Sequence, residues 1–337
     1  MSVSTEYSQS KKRQSALLTN LQLRWRLFKR KYATSTGAKH IIVRLVMYLL
    51  ILGLAFVFLY PFLYMITTSL MSNADLDSSS VNWIPTEIKF ENYAIAAQLM
   101  NGLDYARNSL FVTVAASFGH LIACSFIGYG FARYNFPFKK VLFGCVLLSF
   151  IVPTQTIIIP LYLTYSNLGW LDTYIPLIVP AFFGFGLRGA LYVFLFRQFY
   201  LTVPKSLEEA ARIDGCGFLM TYWRIVFPLA KATLVVALVL SVVWHWNDFY
   251  ESGLYISSAS KGFLPPRLSL IISAASALPE KQAEMLRALG LDDGEDTLNN
   301  AVVMAGAMII SAPVLVFFAF AQRQFMQGIE RTGITGE

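Results

Sequence analysis

Charge is scarce in this 337-residue chain: Asp, Glu, Lys and Arg make up 14% of it, against roughly 25% in ordinary globular proteins. With 56% of residues hydrophobic and 15% aromatic, no soluble core of this length could hide the apolar surface. The same composition excludes disorder, which needs low hydrophobicity. Cysteine is nearly absent. Cys124, Cys145 and Cys216 form no CxxC pair and no zinc spacing, so no disulfide framework is implied. The histidines His40, His120 and His245 are scattered, and neither HExxH nor GxxxxGK[ST] occurs. Zinc-protease chemistry and P-loop nucleotide hydrolysis are therefore not indicated. An Asp75-Leu76-Asp77 triplet reads as a solvated turn. Carriers driven by ion gradients usually hold ionisable groups within their spans and show duplicated halves. Here Arg188 is the one charge well inside a span, no carboxylate accompanies it, and no repeat is visible.

Long charge-free runs are what the chain has in plenty. A helix needs roughly 20 apolar residues to cross a bilayer core of about 30 Å. On that basis spans are predicted over about 45–70, 108–132, 141–163, 174–197, 229–249 and 300–322. The fold class is an all-α membrane protein of six transmembrane helices, its membrane domain covering 41–325. Gly184, Gly186 and Gly189 in the fourth span suit close helix approach or a local break. Pro153, Pro160, Pro176 and Pro180 read as structural kinks. The first apolar run is too long for a cleavable signal peptide and some 40 residues precede it.

Orientation follows from the charges. The N-terminal segment through Arg44, the loops at 133–140 and 197–231 and the tail from Arg323 onward share one side, with 20 Lys/Arg against 6 Asp/Glu. The other side, including the long loop 251–298, carries 6 basic against 14 acidic residues. Both termini are predicted to be cytoplasmic. The basic extension 1–40, rich in Lys and Arg, reads as an anchor facing anionic membrane lipid, not as a nucleic-acid-binding arm.

The loop between spans 4 and 5, residues 204–228, holds the most specific pattern. Ser206 with Glu209 reads as a capping box at a helix start. Gly215 supplies the stop, and a second short helix is predicted from about Phe218 to Phe227, with Phe218, Tyr222 and Ile225 on one face. Pro228 marks the entry to the fifth span. Glu209, Ala210, Ala211, Asp214, Gly215, Ile225 and Pro228 match the EAA loop of ABC importer permeases. The longer string RQFYLTVPKSLEEAARIDG, from Arg197 to Gly215, is similar to the carbohydrate-uptake branch and its maltose-type, MalG-like subunits. WHWND at Trp244–Asp248 and QRQFMQGI at Gln322–Ile329 support the resemblance.

That resemblance implies a transport subunit of a bacterial or archaeal plasma membrane, not an enzyme. It implies a second homologous permease, two ATPase subunits that bind ATP and Mg, an extracytoplasmic solute-binding protein and a carbohydrate substrate. This chain itself would bind no cofactor and no metal. The EAA helix would couple it to the ATPases through Glu209, Ala210, Ala211, Asp214, Gly215, Ile225 and Pro228. Another solute, such as a polyol or glycerol phosphate, is the alternative within the class; a stand-alone membrane enzyme or carrier is the rival outside it. Arg188, Trp244, Trp246, Asn247 and Asp248 are the pathway candidates. Arg188 would face a partner or a water-filled cavity, or else donate to nearby carbonyls. The tryptophans would contact sugar or form an interfacial belt. In maltose-type relatives the sugar site lies largely in the partner permease. The loop 251–298, with its apolar LSLIISAASAL stretch, needs a cover, which the binding protein would supply.

Overall fold

The computed structural model describes residues 35–78, 83–186, 188–277 and 298–333. Most of the basic extension and the acidic part of the long loop lie outside the described residues. Every regular element among those residues is helical. The chain divides into two compact units, Met1–Tyr64 and Met65–Glu337.

The first long helix, α1 (Ser35–Ser69), supplies the described part of the first unit. Its apolar side chains from Ile42 to Tyr64 are almost all exposed. That surface suits lipid or protein and not water.

The second unit begins with the end of α1 and a short helix, α2 (Asn73–Asp77). Asp75 is buried there and is no solvated turn. Its carboxylate accepts from the Ser72 amide and, through both oxygens, from Thr86. These bonds, the Thr86 hydroxyl first, hold its carboxyl below the usual range. After α3 (Glu91–Leu99) comes the longest inner helix, α4 (Gly102–Arg133). No proline interrupts α4, and it buries a face of small and medium residues, Val112, Ala116, Cys124 and Gly128 among them. Against that face pack α8 (Gly189–Thr202) and α12 (Lys231–Trp246), and α14 (Asn300–Gly333) packs on α12.

Among the described residues, three helical stretches are long and apolar enough to cross a membrane: Ile42–Ser69, Gly102–Arg133 and Asn300–Gln327. Two bent pairs raise the number to as many as five. In the first, α5 (Lys139–Ile151) and α6 (Thr154–Asn167) meet at 100°. Pro153 causes this: it has no amide to donate, and it pushes Val152 to an extended ψ of 121°. The predicted third span is thus two helices at a corner. The second pair joins Phe218–Leu229 to α12 at 78°.

The predicted fourth span, 174–197, is not one helix. It runs as α7 (Ile175–Ile178), a 3₁₀ turn (Val179–Phe183), a left-handed corner, and then α8. Gly184, Gly186 and Arg188 take φ of 72°, 106° and 64°, and left-handed residues cannot propagate a right-handed helix. The glycines therefore serve the break. Gly189 serves close approach, since a Cβ there would lie 2.2 Å from the Gly184 oxygen.

Asp172 ties two loops together. One oxygen accepts from the Ser257 and Ser258 amides at 3.1 and 2.8 Å, the other from the Ser258 hydroxyl, and Lys261 pairs with it at 3.5 Å. The Ser258 hydroxyl, then its amide, hold this carboxyl far below the normal range. A depressed carboxylate contributes its stability above the unfolded value of about 3.9 and loses it only as pH falls through the folded value. Amide exchange at Ser257 and Ser258 should therefore stay slow from pH 7 down to pH 4 in the wild type. Asp172→Ala should speed it at pH 7. Equal exchange in the two proteins would show that the tie carries nothing.

Candidate functional site

Residues 204–230 fold into three short helical pieces. The first, α9 (Ser206–Ile213), starts at Lys205, which is already helical at φ −66°, ψ −26°. The Lys205 carbonyl accepts from both Glu208 and Glu209 amides at 3.0 Å. Ser206 is thus inside the helix, and the capping box with Glu209 does not form. After Asp214, Gly215 turns the chain at φ 83° with open space around its α-carbon. The second helix, α10 (Phe218–Thr221), widens into a π-turn over Tyr222–Val226 and ends in α11 (Phe227–Leu229).

Neighbouring residues of α9 have opposite fates. Glu208 is buried, 2.6 Å from Arg133 Nε at the end of α4, and both side chains are less than a tenth exposed. The N–H is off-line, so the contact is an ion pair more than an aligned hydrogen bond. Tyr129 donates its hydroxyl to Glu208 at 3.0 Å, and Arg133 also donates to the Val203 carbonyl at 2.5 Å. Ala211, on the same side as Glu208, is buried. Glu209, Ala210, Asp214 and Gly215 face outward, Ile225 is half-buried and Pro228 is exposed. Ile213, Leu219 and Met220 are exposed beside them.

Behind this loop lies a knot of tyrosines. Tyr222 donates to Ser125 at 2.9 Å, and the Tyr200 hydroxyl lies 2.5 Å from the same Ser125 oxygen. Tyr129 and Tyr222 rings are 5.2 Å apart. All three tyrosines are fully buried, which links the loop to α4 and α8. Glu208, Arg133, Tyr129 and Tyr200 were not singled out by sequence, whereas Tyr222 was placed on a helical face with Phe218 and Ile225. The usable signal was the spacing of Glu208 and Ala211, which puts them on one helical face.

The pathway candidates separate. Arg188 stacks its guanidinium 4.3 Å above the Trp244 ring and 5.6 Å from Phe150. All three are exposed. Trp246 is buried instead and donates its indole N–H to the Ile310 carbonyl at 2.9 Å. Asn247 donates to Val243 within its own helix. Asp248 caps α13 (Tyr250–Tyr255), accepting amides of Tyr250, Glu251 and Ser252. A small cavity behind the corner is lined by His120, His245, Asp248 and Glu251. His120 Nε2 donates to the Phe185 carbonyl at 3.2 Å and holds the corner from within. No group of three His, Cys, Asp or Glu residues able to hold a metal occurs among the described residues.

Residues 124–331 match the family described as the binding-protein-dependent transport system inner membrane component. Among curated relatives, the protein LplC of Bacillus subtilis is 29% identical over 82% of this chain and 89% of its own. The arabinooligosaccharides transport system permease protein AraQ of the same species is 26% identical, over 88% and 97%. The sn-glycerol-3-phosphate transport system permease protein UgpE of Yersinia enterocolitica is 30% identical, over 66% and 70%. A solved bacterial ABC transporter involved in import of the acidic polysaccharide alginate has a chain of like fold. Its TM-score is 0.66 at 23% identity, covering 85% of this chain and 98% of that one.

Proposed function

Because the chain belongs to the family of binding-protein-dependent transport inner membrane components, we propose that it lines the solute pathway of an ATP-driven carbohydrate importer together with a second permease. It is a multi-pass, non-enzymatic transport subunit. Sugar cargo is supported by the arabinooligosaccharide relative, and glycerol phosphate, the alternative, by UgpE. The apolar runs support six crossings, and the charge asymmetry supports cytoplasmic termini. The fourth would be the broken segment ending in α8, and the fifth α12. A binding protein would deliver solute on the face bearing Asp172 and the 251–298 loop. Two ATPases, holding ATP and Mg, would sit beneath α9.

The observation that carries this reading is the two-sided α9. Its buried side is fixed to α4 through Glu208 and Arg133. Its outward side presents Glu209, Ala210, Asp214 and exposed apolar residues. A helix fixed on one side and open on the other can pass a partner's movement inward as a rigid body. ATP would then shift the permease between states because the ATPases bind those states differently.

The test is to purify the complex with Glu209→Lys or Gly215→Asp. Permease abundance should stay level, since neither position packs inside the fold. Recovery of the ATPases should fall about tenfold, which corresponds to ~1.4 kcal/mol, and uptake should fall with it. Full uptake with bound ATPases in both variants would remove α9 from the coupling role.

A further inference from the structure

We infer that Arg188, on the floor made by Trp244 and Phe150, recognises the carboxylate of an acidic carbohydrate in transit; this rests on the permease reading above. Arg188 is the one formal charge between Asp172 and Arg197. The ion pairs among the described residues join Glu87 to Lys89, Arg133 to Glu208 and Asp172 to Lys261, and none reaches Arg188. The carboxylate of Asp248, four residues beyond Trp244, is engaged by three amides of α13. A cation within a membrane segment is costly unless it meets an anion or water. Its outward exposure then marks the face that carries it as one turned from lipid.

The backbone adds an independent observation. Arg188 holds φ at 64° in a corner where the other left-handed residues, Gly184 and Gly186, are glycines. Glycine would occupy that conformation without the penalty a Cβ brings. The side chain is therefore kept at a position that disfavours one. Its aromatic floor explains how it is presented. A guanidinium held over a ring makes no conventional hydrogen bond to it, so its N–H fork remains to match a carboxylate in two parallel bonds. The start of α8 at Gly189 adds the positive end of a helix to the same place. The exposed rings of Trp244 and Phe150 offer flat faces for the C–H sides of sugar rings on either side of the charge. A neutral sugar would satisfy the rings and leave the cation without a partner.

The decisive experiment uses the whole transporter, with both permeases, the ATPases and the binding protein, in proteoliposomes. The probes are trigalacturonate, triguluronate and triglucuronate, each beside its neutral methyl ester. The wild type should import at least one acid about tenfold faster than its ester, equivalent to ~1.4 kcal/mol. That ratio should fall to about one in Arg188→Gly and be partly kept in Arg188→Lys. Arg188→Gly relieves the backbone, so membrane abundance and recovery of the second permease should not drop. An unchanged ratio in Arg188→Gly would overturn the inference. So would loss of the second permease from that variant, since the carboxylate would then belong to the partner. Import of neutral oligosaccharides alone would overturn the acidic class and leave the permease reading standing. Import of no carbohydrate at all would overturn both.

Discussion

Glu208→Ala should unseat the 204–230 loop and lower the thermal midpoint of the purified permease far more than Glu209→Ala does. The two glutamates are neighbours of one type, yet only the first is buried against Arg133 at 2.6 Å. Removing one member of a buried pair leaves the other charge desolvated and uncompensated, which costs about 3–5 kcal/mol. Tyr129 would lose its acceptor as well, and a stranded buried hydroxyl adds to the loss. Glu208→Gln should fall between, because its amide oxygen still accepts from Tyr129 while the charge is gone. Glu209 is exposed, so its truncation should stay within about 0.5 kcal/mol of wild type. Melting curves of the three variants, with proteolysis of the loop as a local readout, decide the matter. Coincident midpoints for Glu208→Ala and Glu209→Ala would show that the Arg133 contact does not hold the loop.

Gly128→Val should separate α4 from α8, whereas Gly130→Val on the same helix should be mild. A Cβ at 128 would lie 2.8 Å from the Phe196 Cβ, 2.9 Å from the Arg197 nitrogen and 3.0 Å from the Val193 oxygen. These neighbours are backbone or attached directly to it, so no rotamer change clears them. Overpacking of this kind costs about 1–3 kcal/mol even for added methylenes, and two whole helices must part for valine. Small residues at such crossings are what let membrane helices approach. A Cβ at Gly130 meets nothing within 4 Å. Detergent-extracted protein should therefore aggregate early in the first variant and elute normally in the second. Normal elution of Gly128→Val would mean that the α4–α8 spacing yields without loss.

Much of this was legible in sequence where the physics is one-dimensional. A charge-free run of sufficient length marks Ile42–Ser69, Gly102–Arg133 and Asn300–Gln327, because a continuous apolar helix needs little else. The run at 174–197 looked the same to that criterion. Its break depends on φ values at Gly184, Gly186 and Arg188, and arginine gives no sign of a left-handed conformation. The corner between α5 and α6 had its cause in plain view at Pro153, but a proline kinks some membrane helices slightly and others completely. At the loop, composition located the motif and could not tell Glu208 from Glu209. That choice is made by Arg133, which is 75 residues away in sequence. Trp244 and Trp246 were equivalent in the same way until packing sent one outward over Arg188 and the other to the Ile310 carbonyl.

The π-turn at Tyr222–Val226 sets the phase of everything around it. Such a turn holds about one residue more than an α-turn, so helical faces counted across it slip by about 100°. The face read from sequence as Phe218, Tyr222 and Ile225 is accordingly replaced by Thr221, Tyr222 and Val226, which are the buried ones. One surplus residue therefore keeps Tyr222 in the tyrosine knot while Leu219, Met220 and Trp223 remain outside. Chain length is part of the alignment here. Deleting a single residue between Thr221 and Phe227 would leave the composition almost untouched, yet it would rotate the outward surface of the loop away from whatever it now faces.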